Sequence, residues 1–173
     1  LDIRSINLYG IGMKEVIEGE WVNEVNVVKD KPRPGSMFQN WLDFNGGFLV
    51  SVNEWADAAS QADYLSCNFS LKPQDGKYEG EVYVMGSFCD WQYVEANRMT
   101  YDEALREYKA AILLKQGAYD YCYAVKKEGE KANEALIEGP ANQDLENFYT
   151  VLIYFKGPTD RTHRVVGYAR VNY

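Results

Sequence analysis

Histidine is almost missing from this sequence. His163 is the single histidine among 173 residues, so a metal site built from several histidines is excluded. The residue lies beside a predicted turn, where we interpret it as a surface side chain. A Cys-His pair would need this one distant histidine as its base, and nothing in the chain recommends that pairing or a Ser-His-Asp triad.

Basic residues and long apolar runs are also scarce. Lys and Arg together number 18 against 26 Asp and Glu, which gives a net charge of −8. Such a balance argues against nucleic acid and against an anionic membrane surface as partners. No run approaches the roughly 20 apolar residues that span a bilayer, so we expect no membrane insertion.

Cysteines are few and lack the spacing of a metal or redox motif. Cys67, Cys89 and Cys122 are odd in number and contain no C-x-x-C pair. We interpret them as small buried hydrophobes, although two of them can oxidise if the protein is exported. Their redox state is left open by the sequence.

Catalytic and cofactor motifs are absent as well. Acidic residues in predicted loops are Asp90, Glu138, Asp144 and Glu146, and such residues in an acidic chain are usually solvated. There is no EF-hand-type calcium loop and no glycine-rich phosphate loop. We therefore predict a protein that is not an enzyme, with no catalytic residues, no cofactor and no metal.

What the sequence has is period-two alternation, which is typical of half-buried strands. It is clearest in Tyr64 to Lys72, in Glu81 to Gly86, and between Glu107 and Lys127. Further strands are predicted at 21–28, at 164–173 and at 148–156, the last as a central strand, and a hairpin is predicted at 41–53. These runs predict an all-β fold, an immunoglobulin-like sandwich of seven or eight antiparallel strands.

Residues 29–36, KDKPRPGS, cannot continue a strand because they hold two prolines and a glycine. We place the domain boundary there, with an N-terminal extension at 1–36 and the sandwich domain at 37–173. Within the extension, 9–19 is predicted to be an irregular connection. The charged stretch 126–139 is predicted to be a solvated loop.

One turn carries the sharpest local signal, GSFCDW at 86–91. Gly86 lets the backbone leave the ladder, and Asp90 is expected to bond the following amides as an Asx turn. Phe88 then points into the core, and Gly117 makes a second turn. Trp91 either plugs the core edge or faces out, and in the second case we predict a binding surface formed by Trp91, Tyr93, Tyr119 and Tyr121.

This turn, together with Met99 and the LLKQGAYDYCY strands, resembles the early-set immunoglobulin-like modules that bind glycogen and starch. Those modules use a second Trp after the Y-x-Y strand. At that place this chain has the charged stretch 126–131, KKEGEK, which contains no Trp. The resemblance implies an early-set sandwich. It also supplies the alternative function, a carbohydrate-binding module with weak glycan binding.

A closer resemblance covers nearly the whole chain. The chain is similar to the C-terminal part of the type IX secretion system plug protein family, formerly a domain-of-unknown-function family. The similarity implies a non-catalytic periplasmic protein of Bacteroidota that sits against the outer-membrane translocon and stops leakage. Because the chain begins at Leu1, we expect the signal peptide and a preceding immunoglobulin-like domain to lie outside it. The resemblance is carried by DKPRPGSMF (30–38), DFNG (43–46), ADY (62–64), GSFCDW (86–91), MTY (99–101), LKQG (114–117), IEG (137–139), ENFY (146–149) and VGY (166–168).

Overall fold

A computed structural model describes residues 1–32, 44, 46–54, 58–139 and 148–172. The fold is mostly β and sandwich-like, which confirms the predicted class. Two one-turn helices, α1 (Ala58–Gln61) and α2 (Ala135–Glu138), accompany the strands. The strands of the described residues are β1 (Met13–Ile17), β2 (Asn23–Val27), β3 (Phe48–Val50), β4 (Tyr64–Leu71), β5 (Glu81–Gly86), β6 (Arg98–Asp102), β7 (Glu107–Lys115), β8 (Gly117–Tyr119), β9 (Tyr121–Lys126), β10 (Phe148–Phe155) and β11 (Arg164–Asn172).

Seven of these strands are hydrogen-bonded in the order β1-β2-β4-β7-β6-β5-β9. Strand β6 joins the two parts of this sheet, because Arg98 and Met99 pair with β5 while Thr100 to Asp102 pair with β7. Side chains from β4 and β7 share one buried cluster with side chains from β5 and β9. The sheet therefore folds over at β6, and its two parts enclose the core between them.

Alternation in the sequence builds this core directly. Along β4, residues 65, 67, 69 and 71 are buried, whereas the residues between them are partly exposed. On the predicted inward face of β7, residues 108, 112 and 114 are buried and Ala110 is half-buried. The core members from these two strands are Leu65, Cys67, Phe69, Leu71, Tyr108, Ile112 and Leu114.

Residues 1–32 contribute two strands to the same sheet. β1 pairs antiparallel with β2, and β2 pairs in parallel with β4. The expectation of an irregular connection at 9–19 is therefore wrong, because Met13–Ile17 is a strand held by long-range pairing. The predicted boundary at residue 36 lies outside the described residues, and the division into 1–36 and 37–173 stays a prediction.

Two further stretches differ from expectation. The second half of the predicted 41–53 hairpin forms β3, which pairs with β8; most of its first half lies outside the described residues. The charged stretch 126–139 is not wholly solvated, because α2 places Ile137 in the core at 1% exposure. A single apolar residue in a charged segment forms no periodic pattern, so the burial of Ile137 was not predicted from the sequence.

The chain divides into two compact units, Leu1–Ala141 and Asn142–Tyr173. The second contains the antiparallel hairpin β10–β11, whose register shifts between Ile153 and Tyr154. Among the described strands, β10 pairs with β11 alone. The strand predicted at 148–156 is present, but the prediction that it is central is wrong, because it has one partner strand among the described residues.

Candidate functional site

Gly86 opens the corner at 86–92 and is constrained by space. Its φ is −179°, an extended conformation that any residue adopts, and it still pairs with Tyr121. A Cβ at this position would lie 2.4 Å from Cε1 of Phe88 and 2.8 Å from the carbonyl oxygen of Asp120. Glycine is therefore required here by close approach, rather than to release the backbone from the ladder.

Backbone hydrogen bonds close the corner. The amides of Asp90, Trp91 and Gln92 donate to carbonyls at 87, 86 and 89 over 2.9–3.1 Å. Asp90 and Trp91 both have left-handed backbones, with φ of 50° and 55°. The expected Asx turn at Asp90 is not among the hydrogen bonds of the described residues.

Asn97 stabilises the corner through its side-chain amide, and no sequence pattern predicted this role. It is 1% exposed, and its Nδ2 donates to the carbonyls of Val84 and Gln92 at 2.9 Å each. Its Oδ1 accepts from the amide of Val94 at 3.0 Å. One buried amide thus ties β5 to the end of the corner.

The two aromatic residues of the corner point in opposite directions. Phe88 packs against the core and meets Tyr119 edge to face, with ring centroids 6.3 Å apart. Trp91 is 42% exposed. A Cβ at Gly46 would lie 3.0 Å from Cζ2 of Trp91, so one edge of the indole lies against Gly46.

The three tyrosines predicted to join Trp91 do not form one open surface with it. Tyr119 is 4% exposed and stacks on Phe48. Tyr93 is half-buried against Tyr83, and the ammonium of Lys126 lies 5.3 Å from its ring centroid. Tyr121 is half-buried and its hydroxyl is engaged, so Trp91 is the one exposed side chain of the four.

Asp30 is the residue that engages Tyr121. Its Oδ2 accepts hydrogen bonds from the hydroxyls of Tyr121 at 2.7 Å and Tyr123 at 2.8 Å. Burial first, then the neighbouring Tyr121 and Asp30, raise the pKa of Tyr123 well above its usual range. The Asp30 carboxylate, from the 29–36 segment, therefore holds the hydroxyl groups of two tyrosines of β9 in place.

Asp120 anchors the loop beneath Trp91. Its Oδ2 accepts from the amides of Phe44 at 2.6 Å and Gly46 at 3.0 Å. At the other end of β8, a Cβ on Gly117 would lie 2.4 Å from the carbonyl oxygen of Leu49. Gly117 therefore allows β3 to approach β8 closely.

The described residues hold no metal-binding cluster, and their cysteines are free. No cluster of three or more His, Cys, Asp or Glu side chains there could hold a metal ion. The three cysteines are free thiols, and burial raises the pKa of Cys67 to about 12, which disfavours the nucleophilic thiolate. Within the same part of the chain, no helix is long and apolar enough to cross a membrane.

The hairpin β10–β11 carries the densest set of exposed apolar side chains. Because strand residues alternate between faces, Tyr149, Val151 and Ile153 share one face of β10, and Leu152 and Tyr154 share the other. Both faces are therefore apolar. The exposed apolar residues of the hairpin are Tyr149, Val151, Leu152, Ile153, Tyr154, Phe155, Val165, Val166, Tyr168 and Val171.

Comparison with solved structures finds a relative that covers the whole of this chain. No protein-family profile and no curated protein matches the chain. The crystal structure of a hypothetical protein from Parabacteroides merdae ATCC 43184 matches all of this chain with a TM-score of 0.90 and 26% sequence identity. The match covers 43% of that protein's chain, so this chain spans less than half the length of its relative. The two share this fold.

Proposed function

We propose that the protein is a non-catalytic binding and gating module, the periplasmic plug that seals a type IX secretion translocon in its resting state. The whole-chain sequence resemblance supports the identity of the partner. The observation that carries the docking role is the hairpin β10–β11, which exposes apolar side chains on both faces.

An isolated two-stranded hairpin is at best marginally stable in water. A contiguous exposed apolar surface is typical of a protein–protein interface, and aromatic residues are enriched at such interfaces. The hairpin supplies Tyr149, Tyr154, Phe155 and Tyr168. A partner that covers them would add the burial that the hairpin lacks by itself.

Docking is tested by placing a charge on the hairpin of the full-length protein in its host. Ile153→Asp and Val166→Asp change side chains that are 57% and 58% exposed. Val166 has no register partner in β10, so its replacement leaves the ladder pairing intact. Leu105→Asp is the matched control, because Leu105 is similarly exposed in the turn before β7.

Each variant is purified by affinity tag and the co-purified translocon is quantified, with circular dichroism as the check on folding. We expect both hairpin variants to recover at least about tenfold less translocon, whereas Leu105→Asp stays near wild type. Equal recovery for all three variants, or no translocon with the wild type, would overturn the proposal.

A carbohydrate-binding module is the second candidate, and the partial exposure of Trp91 favours it. An exposed indole can pack against the apolar face of a sugar ring. Retardation in a starch or glycogen affinity gel that disappears in a folded Trp91→Ala variant would support this function. Migration unaffected by either polysaccharide would eliminate it.

A further inference from the structure

A second candidate site lies in the first unit, in the groove between the β1–β2 turn and the start of β4. We call it the Trp21 groove. Its volume is about 530 Å³, and the large apolar side chains along it are Trp21, Tyr64 and Leu113, exposed by 92%, 56% and 60%. The other lining residues are Ile6, Gly19, Glu20, Val22, Asn23, Asp63, Leu65 and Gln116.

Trp21 has no packing role that explains it. A tryptophan buries up to about 250 Å² when it packs, yet this one keeps nearly all of its surface in water. Tyr64 lies on the outer face of β4, opposite Leu65 and the core. The groove therefore offers two accessible aromatic faces.

The polar lining of the groove is acidic. Glu20 and Asp63 contribute carboxylates for which the described part of the chain shows neither an ion pair nor a hydrogen bond. Between Lys14 and Lys29 the sequence holds Glu15, Glu18, Glu20 and Glu24 and no basic residue. Lys115 is the register partner of Tyr64 but does not line the groove.

We propose that the Trp21 groove binds an arginine side chain from a basic segment of a partner polypeptide. Guanidinium stacks on aromatic faces and brings donors to carboxylates, which only accept hydrogen bonds. The lining also has no Lys or Arg side chain that would repel a guanidinium. The lining residues all belong to the first unit, and this proposal does not depend on the proposed function.

The test uses the intact chain and three peptides in isothermal titration calorimetry at low salt. The first is acetyl-Gly-Arg-Gly-Arg-Gly-amide, the second carries citrulline in place of each arginine, and the third carries lysine. Citrulline keeps the shape of arginine and removes its charge. We expect the arginine peptide to bind most tightly, the lysine peptide more weakly, and the citrulline peptide at least about tenfold more weakly than arginine, with arginine binding declining as salt rises.

Two variants and one matched control test whether the arginine peptide binds at the Trp21 groove. Trp21→Ala and the double variant Glu20→Gln/Asp63→Asn should each weaken arginine binding by at least about fivefold. Asp75→Asn/Glu130→Gln removes the same charge from exposed loops elsewhere and should change it less than twofold. Trp21→Ala should melt as the wild type does, because substitutions of exposed residues usually change stability by no more than about 0.5 kcal/mol.

Arginine binding that is unchanged in Trp21→Ala would overturn the proposal. So would equal binding of the citrulline peptide, or an equal loss in the charge control, which would show non-specific attraction to an acidic protein. Binding of a neutral oligosaccharide such as maltoheptaose that depends on Trp21, without arginine binding, would overturn it in favour of a glycan site.

Discussion

Trp91 lies against Gly46, so closely that a Cβ on Gly46 would come within 3.0 Å of the indole Cζ2. Gly46 also has a φ of +75°, and Asp120 accepts its amide hydrogen bond. The Trp91 corner and the 44–47 loop therefore constrain each other.

Gly46→Ala measures this contact. The matched control is Gly76→Ala, because Gly76 has a φ of +93° but no atom within 4 Å of its added Cβ. Both variants incur the left-handed strain of about 1–2 kcal/mol, and Gly46→Ala should cost about 1 kcal/mol more through overpacking. Urea denaturation gives both values. In a Trp91→Ala background the extra cost should vanish; if it persists, the indole is not its cause.

Asn97→Ala should destabilise the protein by roughly 2–3 kcal/mol, because an unsatisfied buried polar group costs about 1–3 kcal/mol. The carbonyls of Val84 and Gln92 and the amide of Val94 each lose a partner. Asn53→Ala, at an exposed position, is the control and should change stability by less than about 0.5 kcal/mol. A cost for Asn97→Ala as small as that of the control would show that the corner does not depend on its amide.

Asp30→Asn should cost about 1–2 kcal/mol, because hydrogen bonds to a charged acceptor are roughly twice as strong as neutral ones. The hydroxyls of Tyr121 and Tyr123 share this acceptor. A double-mutant cycle with Tyr123→Phe isolates the pair from the other contacts of Asp30. We expect the two substitutions to be non-additive by at least about 0.5 kcal/mol, and strictly additive costs would contradict the coupling.

Stability should fall at alkaline pH. Burial raises the pKa of Cys67 and of Tyr119 to about 12, above the usual values of about 8.5 and 10. The folded state therefore holds these protons where the unfolded state releases them. Their contribution is complete below about pH 8.5 and is lost progressively as pH rises towards 12.

Urea unfolding at pH 8, 9 and 10 tests this dependence. Cys67→Ala removes the thiol, and the decline between pH 9 and 10 should become shallower in this variant. A wild-type stability that is flat over this range would contradict the buried assignment of Cys67.

The sandwich core was predictable where alternation was strong. Leu65, Cys67, Phe69 and Leu71 follow period two without a break, and all four are buried. Alternation fixes which face of a strand is buried, because a shift of one residue moves every side chain to the other face. It does not fix the partner strand, so the parallel pairing of β2 with β4 was not foreseen.

Polar residues that stabilise the site were harder to predict. Asn97 and Asp30 each act through a few specific hydrogen bonds, which leave no periodic pattern in the sequence. The apolar run at 148–156 predicted a strand, but dense apolar residues on both faces do not reveal what covers them. The sequence left open whether Trp91 fills the edge of the core or faces solvent. In the structure one edge of the indole lies against Gly46, and the side chain is 42% exposed.

The central claim is that the hairpin β10–β11 docks on the translocon. The most direct measurement places a photo-crosslinking amino acid at Ile153 of the full-length protein in its host, with Leu105 as the control position, while no substrate is being secreted. We predict a crosslink to the translocon from Ile153 and none from Leu105. No translocon crosslink from Ile153, or equal crosslinks from both positions, would contradict the claim.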